Sequence, residues 1–196
     1  MNKTLIKNKL SSLALSMFRK DFFGIYHGSI SAKTDASRFI VNTQDAIFDA
    51  LDEKTLIELY FTKDYRWKQA SKDANIHYSI YSQISEAKFI CFTMPPFTTS
   101  YSLKHNIITP KDYFGYKELG SIEIFEPKQF EDWYERAQSE IAYYFQTNKT
   151  NIMVIRGYGV YAYSRDIYEM AKKLAILEKS CRILMLNETE NKLFLD

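Results

Sequence analysis

Asp73 and His77 are the residues of this sequence whose types and spacing most favour chemistry. A carboxylate can act as a general base when its pKa suits the reaction. The same residues also fit a structural role, because an acid at a helix N-terminus interacts favourably with the helix dipole and a buried histidine is usually hydrogen-bonded in the core. We favour the structural role for both residues and keep a general base at Asp73 as the functional alternative.

A metal site or a nucleophile would have to be built from few residues. The chain has three histidines, His27, His77 and His105, so a three-histidine metal site would use every one of them. Its two cysteines, Cys91 in an apolar run and Cys181 on a predicted helix, are too few for a disulfide framework or a zinc knuckle and indicate a reducing cytoplasm. No Ser-His-Asp or Cys-His arrangement can be argued from the spacing alone.

Hydrophobic periodicity predicts four amphipathic helices, because apolar residues recur at steps of three and four. The first helix lies near the N-terminus and the second begins at Asp73. The third begins at Pro127, and the fourth follows Ser164 as its N-cap. The apolar faces are, in order, Ile6, Leu10, Leu13 and Met17; Ala74, His77, Tyr81 and Ile84; Phe130, Trp133, Ala137, Ile141 and Tyr144; and Ile167, Met170, Leu174, Leu177, Cys181 and Leu184.

Strand-like runs occur both in consecutive groups and singly between the predicted helices. This order favours a mixed, mainly antiparallel sheet with helices on both faces over a regular βαβ repeat. The stretch Pro95–Leu119 is expected to be a loop. The predicted strands are Phe22–Lys33 and Arg38–Thr43, which form a hairpin, Leu56–Phe61, Lys88–Thr93, Gly120–Phe125, Asn151–Ile155 and Val160–Tyr163.

The composition predicts one ordinary soluble domain over residues 1–196. Hydrophobic residues make up 46% of the chain and charged residues 26%, which is usual for a globular protein and not for a membrane protein. The net charge of +2 comes from 26 basic and 24 acidic residues without a long block of one sign, so we expect no nucleic-acid binding. Lys7 and Lys9 interrupt the N-terminal apolar run, so no export signal is predicted and we expect a cytoplasmic location.

Four short stretches follow one another at a characteristic spacing. They are Gly28-Ser29-Ile30-Ser31, the segment from Ala70 to His77, Phe92-Thr93-Met94 and Gly157-Tyr158-Gly159-Val160. Through these stretches the chain resembles the class II aldolase and adducin family from roughly Met17 to Leu186. The resemblance implies an α/β fold of the three-layer α/β/α sandwich type. It also implies a homo-oligomer, commonly a cyclic tetramer with sites between subunits.

In the family, a zinc-type ion held by three histidines polarises a hydroxy-ketone, and a nearby glutamate moves the proton. Here Phe92, Met94 and Tyr158 stand at the histidine positions, and Asp73 stands at the position of the glutamate. Phenyl has no lone pair, a thioether suits softer ions and phenol binds zinc rarely. We therefore expect no bound zinc and no other cofactor.

The resemblance also places a phosphate pocket on this sequence. Its positions are occupied by Ser29, Ser31, Thr43, Gln44, Ser71 and Lys72. Short hydroxyls suit a phosphate or carboxylate, and Lys72 adds a positive charge. The sequence departs from the family pattern at Ser29, at Ala70 and at Asp45, and the last of these would repel an anion.

Three functional interpretations remain open. We prefer a family member that has lost the zinc-dependent sugar-phosphate lyase activity and acts as a small-molecule-binding or regulatory protein, with a small phosphorylated or carboxylate ligand. The first alternative is an active sugar or sugar-phosphate aldolase or epimerase with a rearranged metal site that uses Asp73, His77 or His27. The second is an interaction module like that of adducin. The aromatic content of 16% favours packing in the core and between subunits, with a carbohydrate-stacking surface as the alternative.

Overall fold

The computed structural model describes residues 2–193 of the protein, and the side chains as far as residue 188. The described residues form eight strands, which are β1 (Ser29–Lys33), β2 (Arg38–Asn42), β3 (Leu56–Tyr60), β4 (Phe89–Thr93), β5 (Ile107–Ile108), β6 (Ile122–Phe125), β7 (Ile152–Ile155) and β8 (Gly159–Ser164). They form one sheet in the order β3-β2-β1-β4-β8-β7-β6-β5. Neighbouring strands are antiparallel except β6 and β7, which are parallel.

Helices cover both faces of the sheet. Because side chains alternate along a strand, Phe89 and Cys91 of β4 face one buried cluster, while Ile90 and Phe92 face the other. The first cluster includes residues of α1, α3 and α6, and the second includes residues of α2 and α5, so the predicted three-layer α/β/α sandwich is confirmed. The helices are α1 (Lys3–Phe18), α2 (Ala74–Gln83), α3 (Pro96–Ser102), α4 (Tyr113–Glu118), α5 (Trp133–Thr147) and α6 (Ile167–Leu193). Within residues 2–193, none of them has the length and apolar composition that crossing a membrane requires.

The predicted apolar faces of the first and last helices are buried throughout. The third helix begins at Trp133 rather than at Pro127. Lys128 has a φ of +62°, and Arg136 Nη2 donates to the carbonyl oxygen of Pro127 at 2.7 Å, so this segment wraps the helix start instead of extending it. The last helix is capped by Asp166 rather than by Ser164, because the side chain of Asp166 accepts hydrogen bonds from the amides of Tyr168 and Glu169.

Two longer predictions were wrong. Residues 22–28 are not part of a strand, because their amides bond locally: the amide of Phe22 donates to the carbonyl oxygen of Met17, and that of Gly24 to the carbonyl oxygen of His27. Phe23 stacks on Phe48 with ring centroids 4.3 Å apart. Pro95–Leu119 is not a loop, because it contains α3, β5 and α4. The N-terminus of α3 is held by Glu178 of α6, whose carboxylate accepts hydrogen bonds from the amides of Phe97 and Thr98 at 2.9 and 2.8 Å.

Candidate functional site

The candidate site lies where three neighbouring strands meet one edge of the sheet. Antiparallel pairing places Ser29, which begins β1, opposite Phe92 near the end of β4, and places Thr93 opposite Val160 near the start of β8. Asp73 immediately precedes α2, and α2 packs on the face of the sheet to which Phe92 points. Stretches that are far apart in sequence are therefore brought together at this edge.

A chain of buried polar side chains runs from this edge into the protein. The hydroxyl of Ser29 lies 2.7 Å from Oδ2 of Asp73 and 2.9 Å from Nε2 of His77. On the other side of the imidazole, Nδ1 lies 2.7 Å from the hydroxyl of Ser31, which is itself 2.7 Å from the phenol oxygen of Tyr81. All five side chains are buried, so each hydrogen bond replaces one to water.

Burial sets the protonation states in this chain. Burial raises the pKa of the Asp73 carboxyl, and the hydrogen bond from Ser29 opposes this effect in part. Burial lowers the pKa of His77 to about 3, so the imidazole is neutral at neutral pH. The pKa of Tyr81 is raised for the same reason, which keeps it a neutral phenol.

The hydrogen bonds can run in two directions, depending on the proton of Asp73. When the carboxyl is ionised, Ser29 donates to it and accepts from Nε2 of His77, so Nδ1 accepts from Ser31. When the carboxyl is protonated, it donates to Ser29, and each later group donates to the next until the phenol of Tyr81 reaches the carbonyl oxygen of Lys88 at 3.5 Å. The proton of Asp73 therefore sets the tautomer of His77.

Aromatic rings close the site on the side of β4 and β8. Phe92 stacks on Tyr158 and on Tyr161, with centroid distances of 4.8 and 4.7 Å. The turn that carries Tyr158 requires glycine at position 159, because its φ is +142° and a Cβ atom there would lie 2.4 Å from the carbonyl oxygen of Thr93. The turn thereby holds Tyr158 against Phe92.

Several buried polar atoms in this region lack a hydrogen-bond partner of ordinary geometry. They are Oδ1 of Asp73, Nε1 of Trp133 and the hydroxyls of Thr93, Tyr158 and Tyr161. Tyr161 and Asp73 still interact electrostatically, because burial, and after it the charge of Asp73, raises the pKa of the Tyr161 phenol. Leaving a buried polar atom without a partner costs about 1–3 kcal/mol, so these groups lower the stability of the fold at this site.

The residues at the implied metal positions do not form a zinc ligand set. Phe92 and Tyr158 do lie side by side, but neither ring is an adequate ligand. Met94 offers a thioether and is 43% exposed. Among the residues with described side chains, no group of three His, Cys, Asp or Glu could hold a metal ion, and this includes Asp73, His77 and His27.

A cavity of about 530 Å³ opens beside this region. Of the predicted ligand-binding residues, Gln44, Ser71 and Lys72 line it, together with Asp73 and Asp45. Ser29 does not line the cavity but forms a hydrogen bond with Asp73, which does. Thr43 does not line it either, and forms a β-bridge with Ala70. Ser31 lies in the interior hydrogen-bonded chain, so the structure brings three of the six residues predicted for the pocket to the cavity wall.

Other site residues were not predicted from the sequence. Tyr134 and Asn42 line the cavity, and Oδ1 of Asn42 accepts from the amide of Ile30 at 2.9 Å, which fixes β1 beside β2. Tyr161 falls in a predicted strand to which the sequence gives no functional role. The alternation of side chains along β8 predicts that Tyr161 and Tyr163 lie on the same face of the sheet. Nothing in the sequence indicates that Asp73 lies on this face as well.

The sandwich has the fold of class II aldolases, as solved structures show. The L-fuculose-1-phosphate aldolase of Thermus thermophilus superposes with a TM-score of 0.84 at 18% identity, covering 95% of this chain and 96% of that one. An aldolase II superfamily protein of Pseudomonas syringae gives a TM-score of 0.78 at 14% identity and 97% and 79% coverage. A sugar-phosphate aldolase of Thermotoga maritima gives 0.69 at 13% identity and 92% and 94% coverage.

Residues 8–185 match the family described as the Class II Aldolase and Adducin N-terminal domain. The chain therefore belongs to the class II aldolase and adducin family, as its sequence motifs predict. A comparison with curated proteins found no match.

Proposed function

We propose that this protein binds a small phosphorylated or carboxylate compound in the cavity beside Asp73 and does not carry out the zinc-dependent lyase reaction of its family. The observation that carries the proposal is the contrast within one site. The wall with Gln44, Ser71 and Lys72 keeps groups that can hold an anion, while the metal positions hold stacked aromatic rings. Binding can therefore persist without the ion that would stabilise an enediolate.

The charges in the cavity fit a ligand with a single anionic group near Lys72. Asp45 and Asp73 both line the cavity, and two carboxylates would oppose anion binding. The raised pKa of Asp73 favours its neutral form, which removes part of that repulsion.

The first test is titration calorimetry with inorganic phosphate and with a three-carbon sugar phosphate. Lys72→Ala should weaken binding about tenfold, because it removes a charge-assisted contact from a side chain that remains exposed to water. Lys68→Ala is the matched control, since Lys68 is also exposed but does not line the cavity. If both variants bind as the wild type does, or if nothing binds at millimolar ligand, the ligand half of the proposal is wrong.

Elemental analysis of the purified protein tests the second claim of the proposal, that the protein does not use zinc. We expect far less than one zinc per chain, also after incubation with zinc and removal of the excess. One tightly held equivalent would contradict the proposal and favour an aldolase or epimerase with a rearranged site. Homo-oligomer formation stays a separate prediction of the family relationship, and light scattering at micromolar concentration would decide it.

A further inference from the structure

A second cavity lies at the opposite end of the same three strands. Lys33 ends β1, Lys88 precedes β4 by one residue and Arg165 follows β8. The backbone amide of Lys33 donates to the carbonyl oxygen of Lys88 at 2.8 Å, and the amide of Lys88 donates to that of Ser164 at 3.0 Å. Antiparallel pairing therefore places three basic residues side by side at one edge of the sheet.

These basic residues line a cavity of about 610 Å³, a size that suits a small ligand. The hydroxyl-bearing residues Thr34 and Ser85 line it as well. The hydroxyl of Ser85 is a donor of the kind that anion sites use, while that of Thr34 lies 3.5 Å from Oε1 of Glu58. The remaining lining residues are Asp35, Ala36 and Phe89.

The positive charge in this cavity is only partly compensated. Asp35 is held by Arg38, and Arg165 is paired with Glu86. Lys33 and Lys88 form no ion pair with a carboxylate among the residues whose side chains are described.

Lys33 is also held in position by its own contacts. Its Nζ donates to the carbonyl oxygen of Tyr81 at 2.8 Å and lies 5.3 Å from the ring centroid of Phe61. Burial, and after it the charge of Lys88, lowers the pKa of Lys33, so an anion bound beside Lys33 would stabilise its charged form.

We propose that this cavity is a second anion site, which takes the phosphate group of a small phosphorylated compound between Lys33, Lys88 and Arg165. A phosphate dianion matches in charge the two ammonium groups that have no carboxylate partner among the described side chains, and its oxygens can accept from them and from the hydroxyl of Ser85. The site is separate from the cavity beside Asp73 and does not depend on the function proposed for it.

The test is an NMR titration of the uniformly ¹⁵N-labelled protein with inorganic phosphate, against sodium chloride at matched ionic strength. We expect saturable shifts of the amides of Thr34, Ser85 and Arg165 that chloride does not produce. Lys88→Ala should weaken this binding about five- to tenfold, because the lost contact is charge-assisted but exposed. Lys88→Arg should keep most of the affinity, since it retains the charge.

Lys72→Ala separates the two sites, because it should leave the shifts at Thr34, Ser85 and Arg165 unchanged. Equal shifts with phosphate and chloride would mean that this edge is only a solvated basic surface, and the proposal would be wrong. It would also be wrong if Lys88→Ala bound phosphate as tightly as the wild type. Loss of binding in Lys72→Ala alone would support the function proposed for the first cavity while overturning this one.

Discussion

The two ends of strands β1, β4 and β8 differ in how their charges and rings are arranged. At the end near Ser29 and Phe92, aromatic rings stack on one another and the carboxyl group of Asp73 is buried. At the end near Lys33 and Lys88, the residues are basic and open to a cavity. The same backbone pairing supports both ends, so the chemistry of each end is decided by the side chains at the strand termini and not by the fold.

The interior hydrogen bonds connect these two ends. The chain begins at Asp73 in the first cavity and ends at Tyr81, whose hydroxyl approaches the carbonyl oxygen of Lys88. The carbonyl oxygen of Tyr81 in turn accepts from Lys33. Three predictions test the contrast between the two ends and the role of this connection.

The largest expected effect is the loss of the aromatic stack in Phe92→Ala. Removing a buried phenylalanine lowers the free energy of unfolding by about 3–5 kcal/mol. Because Phe92 also stacks on two other rings, we expect a loss near the upper limit of this range. Phe89→Ala is the matched control, because Phe89 is equally buried at the other end of β4 and makes no such stack. Urea denaturation of both variants measures the difference, and an equal or larger loss in Phe89→Ala would break the contrast.

The second prediction concerns the pH dependence of stability. The pKa of His77 is about 3 in the folded protein and 6.5 for a histidine surrounded by water, so the unfolded chain binds the extra proton first and stability falls as pH drops below about 6.5. This contribution is about 1.4 kcal/mol per pH unit, or about 2 kcal/mol between pH 6.5 and 5. Asp73 acts in the opposite direction, because its raised pKa means that the folded state takes up a proton as pH falls.

Urea denaturation at pH 6.5 and pH 5 would isolate the histidine contribution. His77→Gln should lose about 2 kcal/mol less stability than the wild type over this interval. His27→Gln, at an exposed position, is the control for the substitution itself. An identical pH dependence in His77→Gln and wild type would show that His77 is not buried in its neutral form.

The smallest effect is expected from Tyr81→Phe, which removes the last hydroxyl of the interior chain. The hydrogen bond to Ser31 contributes about 1 kcal/mol to stability. Lys33 should keep its contact, because it binds the carbonyl oxygen of Tyr81 and not the hydroxyl. Phosphate affinity at the Lys33 end should therefore change less than about twofold, and a larger change would mean that the phenol itself positions the second cavity.

Much of the fold follows from local patterns in the sequence. The faces of α1 and α6 are predictable because each repeats apolar residues over several turns, and their buried residues match. The helix starts are harder to predict, since Arg136 reorganises the segment after Pro127 and Asp166 replaces Ser164 as the cap. These outcomes depend on competing side chains within a few residues, which periodicity does not resolve.

The site is predictable in part. The sequence motifs place Phe92 near Tyr158, and the two rings are in contact. The hydrogen bonds of Ser29 to Asp73 and His77 were not predicted, because they require the pairing of β1 with β4 and the docking of α2 on that pair. The basic edge was missed for the same reason, since the sequence does not indicate which strands are neighbours.

The capping of α3 by Glu178 has a consequence for the order in which the chain folds. The carboxylate that satisfies the first amides of this short helix lies 80 and 81 positions later in the sequence than Thr98 and Phe97. When the α3 segment emerges from the ribosome, Glu178 has not yet been synthesised. A seven-residue helix is marginal in water by itself. We therefore expect α3 to become ordered only after α6 has been synthesised. The folding of this central segment then depends on the C-terminal part of the chain.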